Sequence, residues 1–464
     1  MATRKSPRLN GPPAKARKEN DQQDDVAVVV VTDAAVEEPT PPVFNLINDC
    51  CYAILDWLSR EDLRSFGQTC KWAQQVATNF HQMNHTAMNY RVYGLGQIFG
   101  PALFDLQNTQ KIHIWGMNLD PYRNVKSYCN KPIKQIRLGD TILSVAKVNC
   151  LKKLLRTVEC VKLERCRING DFYENFLKFC INIKGLHVGS SYHRNPNGDH
   201  ILIGVDNGWL TRKYPTLEHL EVTRGLARRV DELKIFFEQN PNVRSFATDS
   251  TFLEENFDLF RTTKIKLDLL AIWDNSASVT AFRDNLNSLH ERGVFQRLHW
   301  YCRLVSANEA SLNALEKLSV GHWNLGECAT ISSLLVNIKE LIIRFYLNGS
   351  TTMETTARNL VNLERVYLGE PTCEAIVSFI RHSAKLKKIK VAHSIGMPNS
   401  NIDGLDLAAW NKGREKLFGA RKVTIYVPEH VYLATKWATN KTDYSLIELK
   451  RGNSYDWGSD FNLY

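Results

Sequence analysis

The chain has 464 residues, 44% of them hydrophobic, and a net charge of +10. That length exceeds one compact core and predicts two or three domains or one repeating array. The 59 basic residues form no long stripe, which argues against a nucleic-acid surface, and no apolar run reaches the ~18 residues that a membrane span needs. The eleven cysteines are an odd number and contain no C-x-x-C pair, so neither a zinc site nor a redox dithiol is expected. Met1 to Asn20 lacks the apolar core of a signal peptide. Reduced, mostly buried thiols in a nuclear or cytoplasmic protein follow as the expectation.

Residues 1–42 read as a disordered tail, with Pro, Ala and charge but few large hydrophobes. Residues 1–20 carry six Lys/Arg and one Glu, whereas residues 21–42 carry six Asp/Glu and no Lys/Arg. The block Arg4-Lys5 with Lys15, Arg17 and Lys18 resembles a two-part nuclear import signal, the alternative being a solubilising tail. Val26 to Val31, flanked by Asp24, Asp25, Asp33, Glu37 and Glu38, is similar to SUMO-interacting motifs, which add a strand to a partner's sheet.

Residues 43–85 predict a helical module. Leu46, Cys50, Ile54 and Leu58 recur every four residues and share one helical face. Ser59, followed three residues later by Asp62, looks like a capping box that starts a second helix burying Leu63, Phe66 and Cys70. Trp72 and Val76 mark a third helix. So short a unit needs a partner or a following domain to cover it. Leu46, Ile54, Leu58, Asp62-Leu63, Cys70 and Trp72 resemble the F-box pattern in type and nearly in spacing. Two positions depart from it. Ile47 stands where that pattern has proline, and Trp72 follows Cys70 by two residues rather than three, turning the aromatic by about 100° on a helix. The resemblance implies docking on a Skp-family adaptor that links to a cullin and a RING subunit. It assigns adaptor contact to Leu46, Ile47, Ile54, Leu55, Leu58, Asp62, Leu63, Phe66, Cys70 and Trp72.

A linker helix is expected over 86–108, and then the unit apolar-x-x-apolar-x-apolar repeats over 109–430. Its middle positions run 112, 136, 161, 186, 220, 246, 267, 298, 318, 341, 366, 389 and 423, mostly 20 to 26 residues apart. Insertions are expected near 189–215, 270–294 and 394–420. The tightest copy is Val158-x-x-Val161-x-Leu163-x-x-Cys166-x-Ile168. Asp171 to Glu174 caps a helix carrying Phe172, Phe176, Leu177 and Cys180; Ile376, Phe379 and Ile380 keep helical spacing before the next strand. This period resembles that of leucine-rich repeats, with about 12–13 units. The predicted fold is therefore α/β: a three-helix F-box module followed by a curved leucine-rich-repeat solenoid whose parallel strands line its concave face.

Residues between the last two apolar positions should face that concave side. They include His113, Arg137, Lys162, His187, Glu221, Lys266, His299, Tyr367 and Lys390, with more basic than acidic members. Arg137, Lys162, His187, Lys266, His299, Tyr367 and Lys390 are the candidate substrate contacts, suiting an acidic or phosphorylated protein segment. The alternative is a solvated strand face. The histidines are too scattered for a metal site. Residues 431–464 should cap the array, and the aromatic, acidic end from Tyr455 to Tyr464 could fold over the basic face.

No H-E-x-x-H, phosphate loop or G-x-S-x-G elbow is present, so no catalysis and no cofactor are expected. An F-box before such repeats implies the substrate-recognition subunit of a Skp–cullin–F-box ubiquitin ligase. The alternative is a leucine-rich-repeat scaffold or nuclear binding protein without a ligase.

Overall fold

The computed structural model describes residues 48–84, 87–93, 97–99, 111–116, 122, 133–189, 191–194, 200–202, 208–223, 230–262, 264–273, 280–304, 312–323, 332–333, 335–346, 350–369, 371–392 and 404–452. Leu46, Ile47, the basic block, the valine run and the aromatic C-terminal stretch lie outside these residues. Residues from Ile47 onward form one compact unit.

One 16-stranded sheet holds its strands in sequence order. They are Ala87–Tyr93, Lys111–Trp115, Gln135–Gly139, Cys160–Glu164, Gly185–Gly189, His219–Thr223, Ser245–Asp249, Leu267–Trp273, Phe295–Leu304, Leu315–Trp323, Glu340–Tyr346, Arg365–Leu368, Lys388–Val391, Val423–Val427 and Ile447–Arg451, with Gln97–Phe99 outside the first. Only Gln97–Phe99 pairs antiparallel; every other pairing in this sheet is parallel. The sheet is open, ending on Gln97–Phe99 and Ile447–Arg451. Parallel neighbours need a crossover of a dozen or more residues, and the 20-to-26-residue spacing supplies one per unit. The stretch 86–108 therefore differs from the expected linker helix. Its described residues form the first two strands, because Ile112 and Ile114 offer an edge for Ala87–Tyr93 to join.

The apolar positions of the motif all point to one side. Ile136, Leu138, Val161, Leu163, Leu341, Ile343, Val366 and Ile389 are fully buried in one continuous cluster with the crossover helices. Each such side chain contributes about 1.5–3 kcal/mol on burial. Phe172, Phe176, Leu177, Cys180, Ile376, Phe379 and Ile380 join that core as their spacing predicts. Asp171 does cap Glu174 N–H at 2.7 Å, although the helix lasts only over Phe172–Asn175. Cys166 is buried and donates its thiol to Leu138 O at 3.2 Å, and burial pushes its pKa up to about 12. A small second sheet, of Ile142–Leu143, Arg167–Ile168, Tyr192–Arg194 and His200–Leu202, flanks the early units.

Two ladders outside the apolar motif lock several units to the one before. Asn182, Asn242, Asn337 and Asn362 donate from their side-chain amides to the carbonyls of Arg156, Pro215, Asn313 and Val336. Beside them, Lys184, Lys339 and Lys387 pair with Glu159, Glu316 and Glu364 at 3.0, 2.7 and 2.9 Å. Exposed pairs of this kind are worth ~0–1 kcal/mol each, but they disfavour a slipped register.

The unit at 267 and the junction at 298 revise the expected series. Ser245 pairs with Leu269 and Phe246 with Leu270, so the copy is Leu267-x-x-Leu270-x-Ile272 rather than Ile265 and Leu267. The step from 298 to 318 is the shortest in the series, yet Leu318 does not stand beside Leu298. Leu298 instead pairs with Leu315, a bulge follows, and Trp300 pairs with Leu318.

The N-terminal module consists of α1 (Asn48–Leu55), α2 (Arg60–Gly67) and α3 (Lys71–Asn84). Its core is Cys51, Leu55, Leu63, Val76, Ala77 and Phe80. The capping box forms in full: Asp62 N–H donates to Ser59 Oγ, and the Ser59 backbone N–H donates to the Asp62 carboxylate. The buried stripe of α1 is offset by one residue from the expected one. Cys51 and Leu55 face α3, whereas Cys50 is exposed and Ile54 is 51% exposed. Both stripes have four-residue spacing, and only packing against Val76, Ala77 and Phe80 chooses between them.

Candidate functional site

The sheet face opposite the helices and the outer surface of the helical module are the two candidate sites. On the sheet face, a row runs through His113, Arg137, Lys162, His187, Glu221, Ala247, Ala271 and His299. The register step then carries this row on to Lys317, Glu340 and Arg365. Tyr367 and Lys390 stand in the neighbouring row, which descends from Trp273, Tyr301, Ser319 and Ile342. Lys266 is exposed just before its strand, and Ala271 holds the place in the row expected for it. One face thus collects Arg137, Lys162, His187 and His299 in one row and Tyr367 and Lys390 in the next, without Lys266.

The face is less basic than the sequence suggests, because carboxylates of the same and the adjacent row answer its cations. Arg137 binds Glu164 through Nη2 at 2.8 and 2.7 Å, and Lys162 lies 3.3 Å from the same carboxylate. Burial alone would raise the Glu164 pKa, but Lys162 and Arg137 overcome it and hold the group at about 2. Arg137 also stacks over Trp115, 5.2 Å from the ring centre. Trp115 fits because the next strand has Gly139, where a Cβ would come within 2.2 Å of the ring. His187 Nδ1 lies 2.5 Å from Glu221, both side chains being buried. Burial holds His187 below its ordinary pKa despite that neighbour, and at Glu221 burial is outweighed by the contacts with His187 and Lys162, which hold the carboxyl below its ordinary range. His113 is pushed down to about 3 by burial and by Arg137, and is therefore neutral near pH 7.

The middle of the face is aromatic. Trp273 and Tyr301 stack with centroids 4.1 Å apart over Ala247 and Ala271. The small side chains at 247 and 271 leave room for the rings. Lys317 Nζ lies 5.7 Å from the Tyr301 ring centre and 2.8 Å from Glu340, which also binds Arg365 at 2.6 Å. Lys317 and Glu340 are 2% and 3% exposed, so the two charges are buried together. Beside them His299 Nδ1 and Trp273 Nε1 are buried without a hydrogen-bond partner among the described residues. Burial, with Lys317 next, holds His299 well below its ordinary pKa. The sequence reading missed Trp273, Tyr301, Lys317, Glu340 and Arg365. The unusually short step after 298 was the available signal.

On the module, the candidate adaptor residues divide. Leu55 and Leu63 are core; Leu58, Phe66 and Trp72 pack at its margin; Ile54, Asp62 and Cys70 are exposed. The α1–α2 junction is held by the far end of the chain. Asp56 accepts from Tyr432 Oη at 2.9 Å and Lys436 Nζ at 2.5 Å, both on the Glu429–Thr439 helix. Arg451, on the last strand, donates to the carbonyls of Asp56 and Leu58 and pairs with Glu429 at 3.1 Å. Lys436 also sits over the Trp57 ring, 4.5 Å from its centre. The module therefore touches the last unit directly, while two residues beyond α3 the chain enters the first strand.

Among the described residues no group of three or more His, Cys, Asp or Glu could hold a metal, and no helix is long and apolar enough to cross a membrane. Neither the models of known protein families nor the curated proteins compared with this chain give a match.

Proposed function

We propose that this chain is the substrate-recognition subunit of a Skp–cullin–F-box ubiquitin ligase. In this reading α1–α3 are an F-box module that docks a Skp-family adaptor, and the sheet belongs to a leucine-rich-repeat solenoid whose open face takes a protein substrate. The observation that carries it is a three-helix unit that leaves Ile54 and Cys70 exposed, set immediately before a repeating array. The paired charges of the open face suit a substrate that presents both signs, rather than a purely acidic one. Nucleus or cytoplasm is the proposed location.

The reading is tested by affinity capture of the wild-type chain and of Ile54→Asp. Adaptor and cullin should accompany the wild type alone, and substrates should accumulate on the variant, which cannot pass them on for ubiquitination. Equal capture of the adaptor by both, or by neither, would sink it. The second reading, a scaffold without a ligase, has its own support in the Asp56 contacts, which make the module an integral part of the array.

A further inference from the structure

Away from the open face, a cleft of about 640 Å³ lies at the amino ends of the strands Ser245–Asp249 and Leu267–Trp273. That size lies in the range of ligand clefts, roughly 300–1,000 Å³. Its apolar lining is Phe237, Pro241, Val243 and Ile265. Its rim carries Lys234, Lys264 and Lys266, against a single carboxylate at Glu238.

The cleft opens where the asparagine ladder is interrupted. Asn242 donates to Pro215 O, like its counterparts in other units. The Ser245–Leu269 pairing puts Lys266 in the matching place one unit later, and no asparagine closes the turn there. The backbone ladder itself continues, Asp268 and Leu269 N–H bonding back to Arg244 O as Arg244 and Ser245 N–H bond to Glu218 O, while the Leu267 N–H just above the cleft bonds forward to Val294 O. Three other lysines on this edge are answered: Lys184, Lys339 and Lys387 each meet a glutamate of the preceding unit. None of Lys234, Lys264 and Lys266 forms an ion pair with a described residue. Three unanswered ammonium groups around an apolar floor are poorly explained as a solvated ladder.

We propose that this cleft binds an acidic peptide segment of a partner protein. One apolar side chain of the segment would enter between Phe237, Val243 and Ile265, and flanking carboxylates would meet the three lysines. Charge complementarity selects the occupant, and the apolar floor selects a peptide over a bare anion. The inference does not rest on the ligase reading, since the cleft is distinct from both the open face and the helical module.

The test uses the full chain and a fluorescein-labelled glutamate-rich peptide with one central leucine, read by fluorescence anisotropy. Lys234→Glu, Lys264→Glu and Lys266→Glu combined should weaken binding by about tenfold or more, and added salt should weaken the wild type. Replacing the central leucine of the peptide by serine should also cost about tenfold. Lys339→Glu, on the answered ladder, should leave the affinity unchanged, and a melting curve checks that each variant is folded. Equal affinity of the triple variant and the wild type would overturn the proposal. So would equal binding of a glutamine-for-glutamate peptide, or full displacement of the peptide by inorganic phosphate at millimolar levels.

Discussion

The helical module and the sheet are built on opposite principles. The sheet has one core that runs through the described units from Ile112 to Leu449, so each inner strand is covered on both sides by its neighbours. The module has a core cluster of six side chains among its described residues and leans on Asp56, Lys436 and Arg451 for its attachment to the last unit. A local change in the sheet should therefore be felt as loss of global stability. A local change in the module should loosen the module alone.

The largest effect is expected in the sheet. Glu340→Ala removes the carboxylate 2.8 Å from the buried Lys317 ammonium and should cost about 3–5 kcal/mol in denaturant unfolding. Converting the pair to Lys317→Met with Glu340→Leu should recover most of that loss. If the double variant is as unstable as the single one, the charges hold the register and do more than compensate each other.

Acid should act next, and again on the sheet. His113 stays neutral in the fold to about pH 3, while the unfolded chain takes up its proton near pH 6.5. Above pH 6.5 both states are neutral and the group costs nothing. Below it only the unfolded state gains the proton, so stability falls by about 1.4 kcal/mol per pH unit for this group until pH approaches 3. His187 and His299 shift in the same direction. Glu164 adds its own loss only below its unfolded pKa near 4.5, so the histidines own the window from 6.5 to 4.5. The denaturation midpoint should drop across that window, and His113→Asn should flatten the slope. An unchanged slope would remove His113 from the account.

The module should respond to smaller changes without spreading them. Asp56→Ala removes the acceptor of Tyr432 and Lys436, and should cost about 1–3 kcal/mol, seen as faster amide exchange in α1 and α2. Exchange that speeds up equally throughout the sheet would refute the separation of the two regions. Smallest is Ser59→Ala, which loses the cap of α2 and should cost about 1 kcal/mol in the same local measurement.

The sheet was the more legible region because its pattern is written in single residues. Apolar-x-x-apolar-x-apolar names the inward positions, and fully buried Ile136, Val161, Leu341 and Ile389 occupy them. The copy at Leu267 was misplaced because Ile265 and Leu267 imitate it two residues early. The step at 298 depends on a bulge between two paired strands, which the motif does not encode. Charge pairing was illegible for another reason. Arg137 and Glu164, or Lys317 and Glu340, lie one unit apart in sequence and meet only through strand register. In the module the capping box could be read directly. The choice between the Ile54 and Leu55 stripes could not, since an eight-residue helix offers two equivalent faces until something packs on one.

That choice also sharpens the test of function. Replacing Leu63 would break the module's own core and say nothing about a partner, whereas Ile54 points outward. The most direct measurement is calorimetric titration of a purified Skp-family adaptor into the wild-type chain and into Ile54→Asp, with circular dichroism to confirm that both are folded. The account predicts submicromolar binding to the wild type and at least about tenfold weaker binding to the variant. No binding to the wild type, or equal binding to both, would contradict it.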